Sequence, residues 1–328
     1  MSSQSGANKN DPESPPPRKR SRSCLSVIIV LILLVLAVTF IPHMLLAPPT
    51  QSAAPAPIDV EEKEPDEIAS LPEGSITRSI TQKIIDEADH PLIPLLKVAK
   101  EGHAKIEADI RGYTATVESQ QRVDGVLGEE KTMQCKLLHG GEKDGIKTAL
   151  SIYTKFVKPQ NLAGQEAIWV DGKNEGKLIA HGSGMLNIKT LYLDPKGPIA
   201  MRGNRYPIQM LGMKSLLSQM IEKGKNDLKY DECIAKVKRG ILIDGRQCTM
   251  MEITHPKPRK HFEYHIARIY IDDERNLPIG YEGYLWPEKE GQDPPLLEKY
   301  FYTDIELNPG LSKKDFNHRN PDYNYPRW

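Results

Sequence analysis

The chain has 328 residues, 44 basic and 44 acidic side chains, and a hydrophobic fraction of 39%. A formal net charge of zero leaves no electrostatic footprint for nucleic acid, so a nucleic-acid partner is excluded. The length allows one or two domains, and four cysteines with no C-x-x-C spacing support neither a zinc ribbon nor a redox motif.

Residues 1–24 are polar, contain Pro15, Pro16 and Pro17, and carry the cluster Arg18, Lys19, Arg20 and Arg22. They read as a disordered, basic cytoplasmic segment. Residues 25–46, from Leu25 to Leu46, hold no ionisable side chain except His43. As a helix the stretch spans about 33 Å at ~1.5 Å per residue, enough for a hydrocarbon core of ~30 Å. The basic cluster before it holds that side in the cytoplasm. The segment therefore reads as a single-pass signal anchor in the inner membrane, with everything after Ala47 outside. A cleaved secretory signal is the alternative. Against it stand the long leading segment, an apolar core beyond the usual ~7–15 residues, and the prolines that follow Ala47 and Ala54.

Residues 47–73 are rich in Pro and Ala and then acidic, with Asp59, Glu61, Glu62, Glu64, Asp66 and Glu67. This composition reads as a linker that holds the following domain off the membrane. Residues 74–316 are expected to form that domain. A short helix is expected over 75–86. A stronger one begins near Asp89, with Pro91 in its first turn, where a missing N–H costs little. Leu92, Leu95, Leu96, Ala99, His103, Ile106 and Ile110 then recur at helical spacing.

From Gly112 the period becomes two. Tyr113, Ala115 and Val117 alternate with polar residues, Asp124-Gly125 supplies a turn, and Met133, Cys135 and Leu137 alternate in the next strand. Gly140-Gly141 breaks the pattern. A third strand containing Leu150, Ile152 and Phe156 ends at Lys158-Pro159, and short strands follow over 167–170, 177–181 and 188–193. A second amphipathic helix is expected over 208–223, with Gly224 at its C-terminal end. Strands return over 230–238, 241–254, 264–271, 278–286 and 297–304, with Asp244-Gly245 as a turn and 272–276 as a polar loop. Residues 317–328 are expected to lie extended on the surface.

Most neighbouring strands have no helix between them, which argues against a parallel sheet. The expected fold is α+β: a curved antiparallel sheet, an unclosed half-barrel, wrapped around one or two amphipathic helices. Separately buried thiols are the favoured reading; if a disulfide forms, Cys233 and Cys248, which flank a strand turn, are the expected pair.

Several stretches resemble a bacterial envelope family defined only as a domain of unknown function. They are Gly112-Tyr113-Thr114-Ala115 through Arg122-Val123-Asp124-Gly125, Phe156-Val157-Lys158-Pro159, Asp171-Gly172-Lys173-Asn174, Leu193-Asp194-Pro195, Gly203-Asn204-Arg205-Tyr206-Pro207-Ile208 and Tyr302-Thr303-Asp304-Ile305. The resemblance covers roughly residues 90–316. More remotely, Gly125, Pro159 and Trp169-Val170-Asp171-Gly172 echo an order found in the periplasmic lipoprotein carriers of the LolA/LolB type. That resemblance implies an unclosed antiparallel barrel with a helical lid and an apolar concave face that binds acyl chains. A soluble shuttle, however, is not tethered by a segment such as Leu25–Leu46.

Little else carries chemistry. His261 and His265, with Glu263 between them, share one face of a strand and are the weak candidates for a metal. No H-E-x-x-H, phosphate-binding glycine spacing or nucleophile elbow occurs, and no cofactor is expected. The loop carrying Arg205 opens a helix and could hold an anion there. Trp169, Tyr192, Tyr281 and Trp286 sit on expected strands as packing or ligand-facing aromatics. Three functions follow: a non-enzymatic envelope domain binding a lipid, acyl chain or lipoprotein; a scaffold with a filled core; or a metal-dependent hydrolase using His261 and His265.

Overall fold

The computed structural model describes residues 61–62, 88–143 and 145–327. The basic segment 1–24, the stretch Leu25–Leu46, most of the linker and the helix expected over 75–86 lie outside the described residues. Among the described residues no helix is long and apolar enough to cross a membrane.

Among the described residues two α-helices and fifteen strands are formed. Helix α1 is Leu92–Asp109 and α2 is Met213–Asp227. The strands in chain order are β1 Glu61–Glu62, β2 Gly112–Val123, β3 Val126–Leu127, β4 Lys131–Leu138, β5 Gly141–Lys143, β6 Ile146–Thr148, β7 Ser151–Lys158, β8 Glu166–Val170, β9 Leu178–His181, β10 Leu191–Leu193, β11 Ile234–Ile243, β12 Arg246–Thr254, β13 Ile266–Asp272, β14 Leu277–Tyr284 and β15 Leu296–Leu307. The main sheet runs β1-β11-β12-β13-β14-β15-β2-β4-β7-β8-β9-β10, and β3 pairs only with β2. Every pairing is antiparallel. β10 ends one side and β1 the other, so the sheet is unclosed as expected.

The alternation seen in the sequence sorts the two faces. Tyr113, Ala115 and Val117 of β2, Cys135 and Leu137 of β4 and Ile152 of β7 are buried in one cluster with Ile106 of α1 and with Met213 and Leu217 of α2. A second cluster joins Leu92, Leu95, Leu96 and Val98 of α1 to Met251, Ile253, Ile269 and Ile271. The apolar stripe of α1 thus packs on the sheet, as its periodicity requires. Residues 57–328 form one compact unit. It contains the three hydrophobic clusters found among the described residues.

Four details differ from expectation. Gly212 adopts φ 116°, so the expected helix over 208–223 divides into a short 3-10 turn, Ile208–Met210, and α2 proper. Gly224 lies inside α2 rather than beyond it, because a Cβ there would come 2.7 Å from Leu96 Cδ2 of α1. The gap expected between 238 and 241 is a bulge within β11, with Gly240 at φ 75°. The terminal segment is not confined to the surface: Tyr323 and Tyr325 are buried against Tyr153, Ile168 and Ile179, on the sheet face opposite Ile152 and Thr154.

Cys135, Cys233 and Cys248 are free thiols. Cys248 pairs with Ile241 on the ladder, whereas Cys233 precedes Ile234, whose partner is Thr254. At ~3.3 Å per residue the two lie more than about 20 Å apart along the strand, far beyond disulfide reach.

At Gly280 a Cβ would meet Phe301 Cε1 at 2.6 Å on one side and Tyr270 Cδ2 at 2.9 Å on the other. Both are buried rings held by neighbouring strands, so neither can yield. Gly280→Ala is expected to destabilise the domain by about 2–3 kcal/mol, measured as a lowered midpoint in chemical unfolding with an unchanged slope.

Candidate functional site

A cavity of about 340 Å³ opens on the concave side of β2, β4 and β7–β10. Strand alternation builds its wall. Val117, Met133, Phe156, Ala167, Leu178, Ala180, Leu191 and Leu193 come from six neighbouring strands, each on the same face of its own. Residues 195–212 and α2 lie over this wall, contributing Ile199, Ile208, Met210, Leu211, Leu216 and Met220. Gly212 allows the overlying segment to approach. A side chain there would collide with Leu137 Cδ1, and its neighbour Met213 N donates to Tyr113 Oη at 3.1 Å.

One part of the wall is polar. Glu298, 2% exposed, reaches the cavity from β15 and receives Tyr206 Oη at 3.1 Å and Tyr300 Oη at 3.3 Å. Arg205 Nε stands 3.0 Å from Glu298 Oε2, the oxygen that accepts from Tyr300. The Arg205 guanidinium also donates to Glu263 at 3.0 Å and to Arg122 O at 3.1 Å. Lys223 of α2 pairs with Glu263 at 2.6 Å. Burial holds the Glu298 carboxyl above its ordinary value while Arg205 and Lys223 pull it back. Burial likewise pushes the Tyr206 and Tyr300 hydroxyls upward, so they remain protonated donors. On the opposite wall Lys131 fixes the overlying segment by donating to Gly203 O at 2.6 Å and Asn204 Oδ1 at 2.8 Å. The arrangement is an apolar chamber with a small, largely internally paired polar wall. It suits retention of an apolar chain bearing a polar group.

Of the five residues singled out from sequence, Tyr281 lines this cavity. Arg205 sits behind the polar wall, and its guanidinium is engaged by Glu298 and Glu263 rather than open to an anion. Trp169 is buried in the core, its Nε1 donating to Gly176 O at 3.1 Å. Tyr192 projects from the other face of β10 toward His318. Trp286 donates to His255 O at 2.9 Å, outside the cavity. The structure therefore does not gather these five together. The wall is made instead by residues that sequence reading passed over, Ala167, Ala180, Met220 and Glu298 among them. The first two fall on expected strands, but only the fold shows which face they join and which stretch of it is left unfilled.

The two histidines considered for a metal go separate ways. His261 stacks on Tyr230 at 3.7 Å between ring centroids, and His265 Nδ1 lies 2.8 Å from His255 O. Among the described residues no group of three His, Cys, Asp or Glu side chains is placed to hold a metal ion.

His139, beside the ends of α1 and α2, is held down to about 4 by burial, with Lys214 and His103 adding to the effect. A histidine lowered in the folded state binds its proton more tightly when unfolded. Its contribution is therefore intact above the unfolded value near 6.5 and is lost as pH falls toward about 4. His139→Gln is expected to remove about 1–2 kcal/mol of the stability lost between pH 7 and pH 5, checked by urea unfolding at both pH values.

Three solved structures with a similar course show how far likeness extends. A DUF1329 family protein from Desulfovibrio piger is 13% identical, over 70% of this chain and 98% of its own, with a TM-score of 0.34. An uncharacterised conserved protein from Thermus thermophilus is 11% identical, over 70% and 99%, with a TM-score of 0.37. A LolA superfamily protein from Nitrosomonas europaea is 12% identical, over 67% and 96%, with a TM-score of 0.26. Overlaps this low carry no argument about the cavity. No curated protein matches the chain. Residues 110–325 match the family described as "Protein of unknown function (DUF1571)", and the chain belongs to that family.

Proposed function

We propose that the domain is a non-enzymatic binding module for a lipid, an acyl chain or the acylated part of a lipoprotein. In this reading Leu25–Leu46 anchors it in the inner membrane and the domain stands outside. The observation that carries the proposal is the cavity. Its volume of about 340 Å³ falls within the ~300–1,000 Å³ of small-molecule sites, and most of its wall is apolar. That space favours a binding domain over a scaffold with a filled interior. Each buried methylene contributes about 0.8 kcal/mol, so ten contribute about 8 kcal/mol before the cost of association. The Tyr206, Tyr300 and Glu298 wall gives one end of such a ligand a polar neighbour.

Residues 57–328, stripped of lipid and titrated with a fluorescent C11–C16 fatty-acid analogue, are expected to bind one equivalent saturably. Unlabelled phospholipid or long-chain fatty acid should displace it. Absence of saturable binding by the stripped, folded domain would refute the proposal.

A further inference from the structure

We infer that the rim of the cavity formed by residues 184–202 docks on an anionic lipid surface. Nine large apolar side chains are strongly exposed among the described residues. Met185 at 95%, Ile199 at 68% and Ile188 at 66% all fall in this one segment. Single exposed apolar residues are ordinary, but a concentration of them along one rim marks an interaction surface.

The same segment exposes Lys189, Lys196 and Arg202. Its one carboxylate, Asp194, is also exposed and accepts from Lys196 N at 2.9 Å, so three cations face one anion along the segment. Large apolar side chains interleaved with cations are the chemistry of a surface that inserts between acidic headgroups. An acidic protein would satisfy the cations but would leave Met185 and Ile188 without an apolar phase to enter.

Position selects the same partner. The segment surrounds β10, the free edge of the sheet, and it borders the chamber directly. Leu191, Leu193, Pro195, Ile199, Ala200 and Arg202 all line the cavity. An acyl chain moving between a bilayer and the cavity would cross this rim without passing through water. The inference deepens the binding reading by giving the ligand a source, but surface attachment is measured without any ligand, so either can fail alone.

The test uses residues 57–328, the compact unit that carries the three described hydrophobic clusters. They are sedimented with vesicles of phosphatidylcholine alone and of phosphatidylcholine with one-third phosphatidylglycerol. Binding is expected to be at least tenfold stronger to the anionic vesicles and to weaken as salt screens the cations. The triple variant Met185→Ser, Lys189→Glu, Lys196→Glu should lose at least tenfold in vesicle binding. It should keep its thermal midpoint and its affinity for the fluorescent acyl probe, since none of the three residues lines the cavity. Equal binding to both vesicle types, or undiminished binding by the folded triple variant, would overturn the inference. Vesicle binding lost only when a copurifying protein is removed would also overturn it, by assigning the rim to a protein partner.

Discussion

Ala180→Phe is expected to lower the affinity for an acyl chain by about two orders of magnitude while leaving the domain folded. Ala180 lies on β9 between Ala167 of β8 and Leu191 of β10, and all three line the cavity. A benzyl group in place of the methyl projects into the empty space rather than into packed core, so the usual cost of overpacking does not apply. It would displace three or four methylenes of a ligand. At about 0.8 kcal/mol each they amount to about 3 kcal/mol, and every 1.4 kcal/mol is a factor of ten. Val157→Phe is the matched control: Val157 is exposed on β7 and does not line the cavity, so binding should not change. Probe titration of the two variants checks both outcomes. Full affinity in Ala180→Phe would place the ligand elsewhere.

Arg205→Ala is expected to destabilise the domain by about 2–4 kcal/mol at neutral pH. The change removes one partner of a nearly buried pair and strands the Glu298 carboxylate, which is costlier than never having had the charge. Glu263 suffers less, because Lys223 remains against it. The pH dependence identifies the cause. Burial already holds Glu298 above its ordinary value, and losing Arg205 removes a group that lowers it. A carboxyl raised in the folded state favours folding below that raised value and opposes it above. The deficit of the variant should therefore be largest at pH 7–8 and shrink as the pH falls and Glu298 takes up a proton. Adding Glu298→Gln to Arg205→Ala should recover much of the loss at pH 7. Urea unfolding of the single and double variants between pH 5 and 8 measures both effects. A deficit independent of pH would assign the loss to packing instead.

How much of this could be read from sequence depended on the range of the contact involved. The alternation Tyr113, Ala115, Val117 was legible because a sheet with one buried face imposes a period of two over a few residues. Turns were legible for the same local reason: Asp124, Gly125, Asp244 and Gly245 all take positive φ. The helix α1 announced itself through seven residues at helical spacing. Glu298 was not legible. In the run Leu296-Leu297-Glu298-Lys299 it looks like a solvated position, and its burial depends on Arg205 and Tyr206 more than 90 residues away. Asp272 and Asp273 likewise read as a polar loop, yet both are buried, held by Arg246 and Thr249 on the adjacent strand β12. Residues 194–207 show no periodicity because their course is set by Lys131 and Gln121 on β4 and β2, through bonds to Gly203 O, Asn204 Oδ1 and Arg205 N. A cavity is harder still to foresee, being a place where apolar residues face each other and do not meet. Sequence records the residues but not the gap.

On the binding reading the cavity holds a lipid or acyl chain. Native mass spectrometry of residues 57–328, purified without detergent, tests it most directly when joined to solvent extraction and identification of whatever is released. The expected spectrum shows the domain carrying one adduct of lipid or fatty-acyl mass. That adduct should be absent from Ala180→Phe and retained in Val157→Phe. A domain that is folded, monomeric and free of adduct, and that stays so after incubation with envelope lipids, would contradict the account.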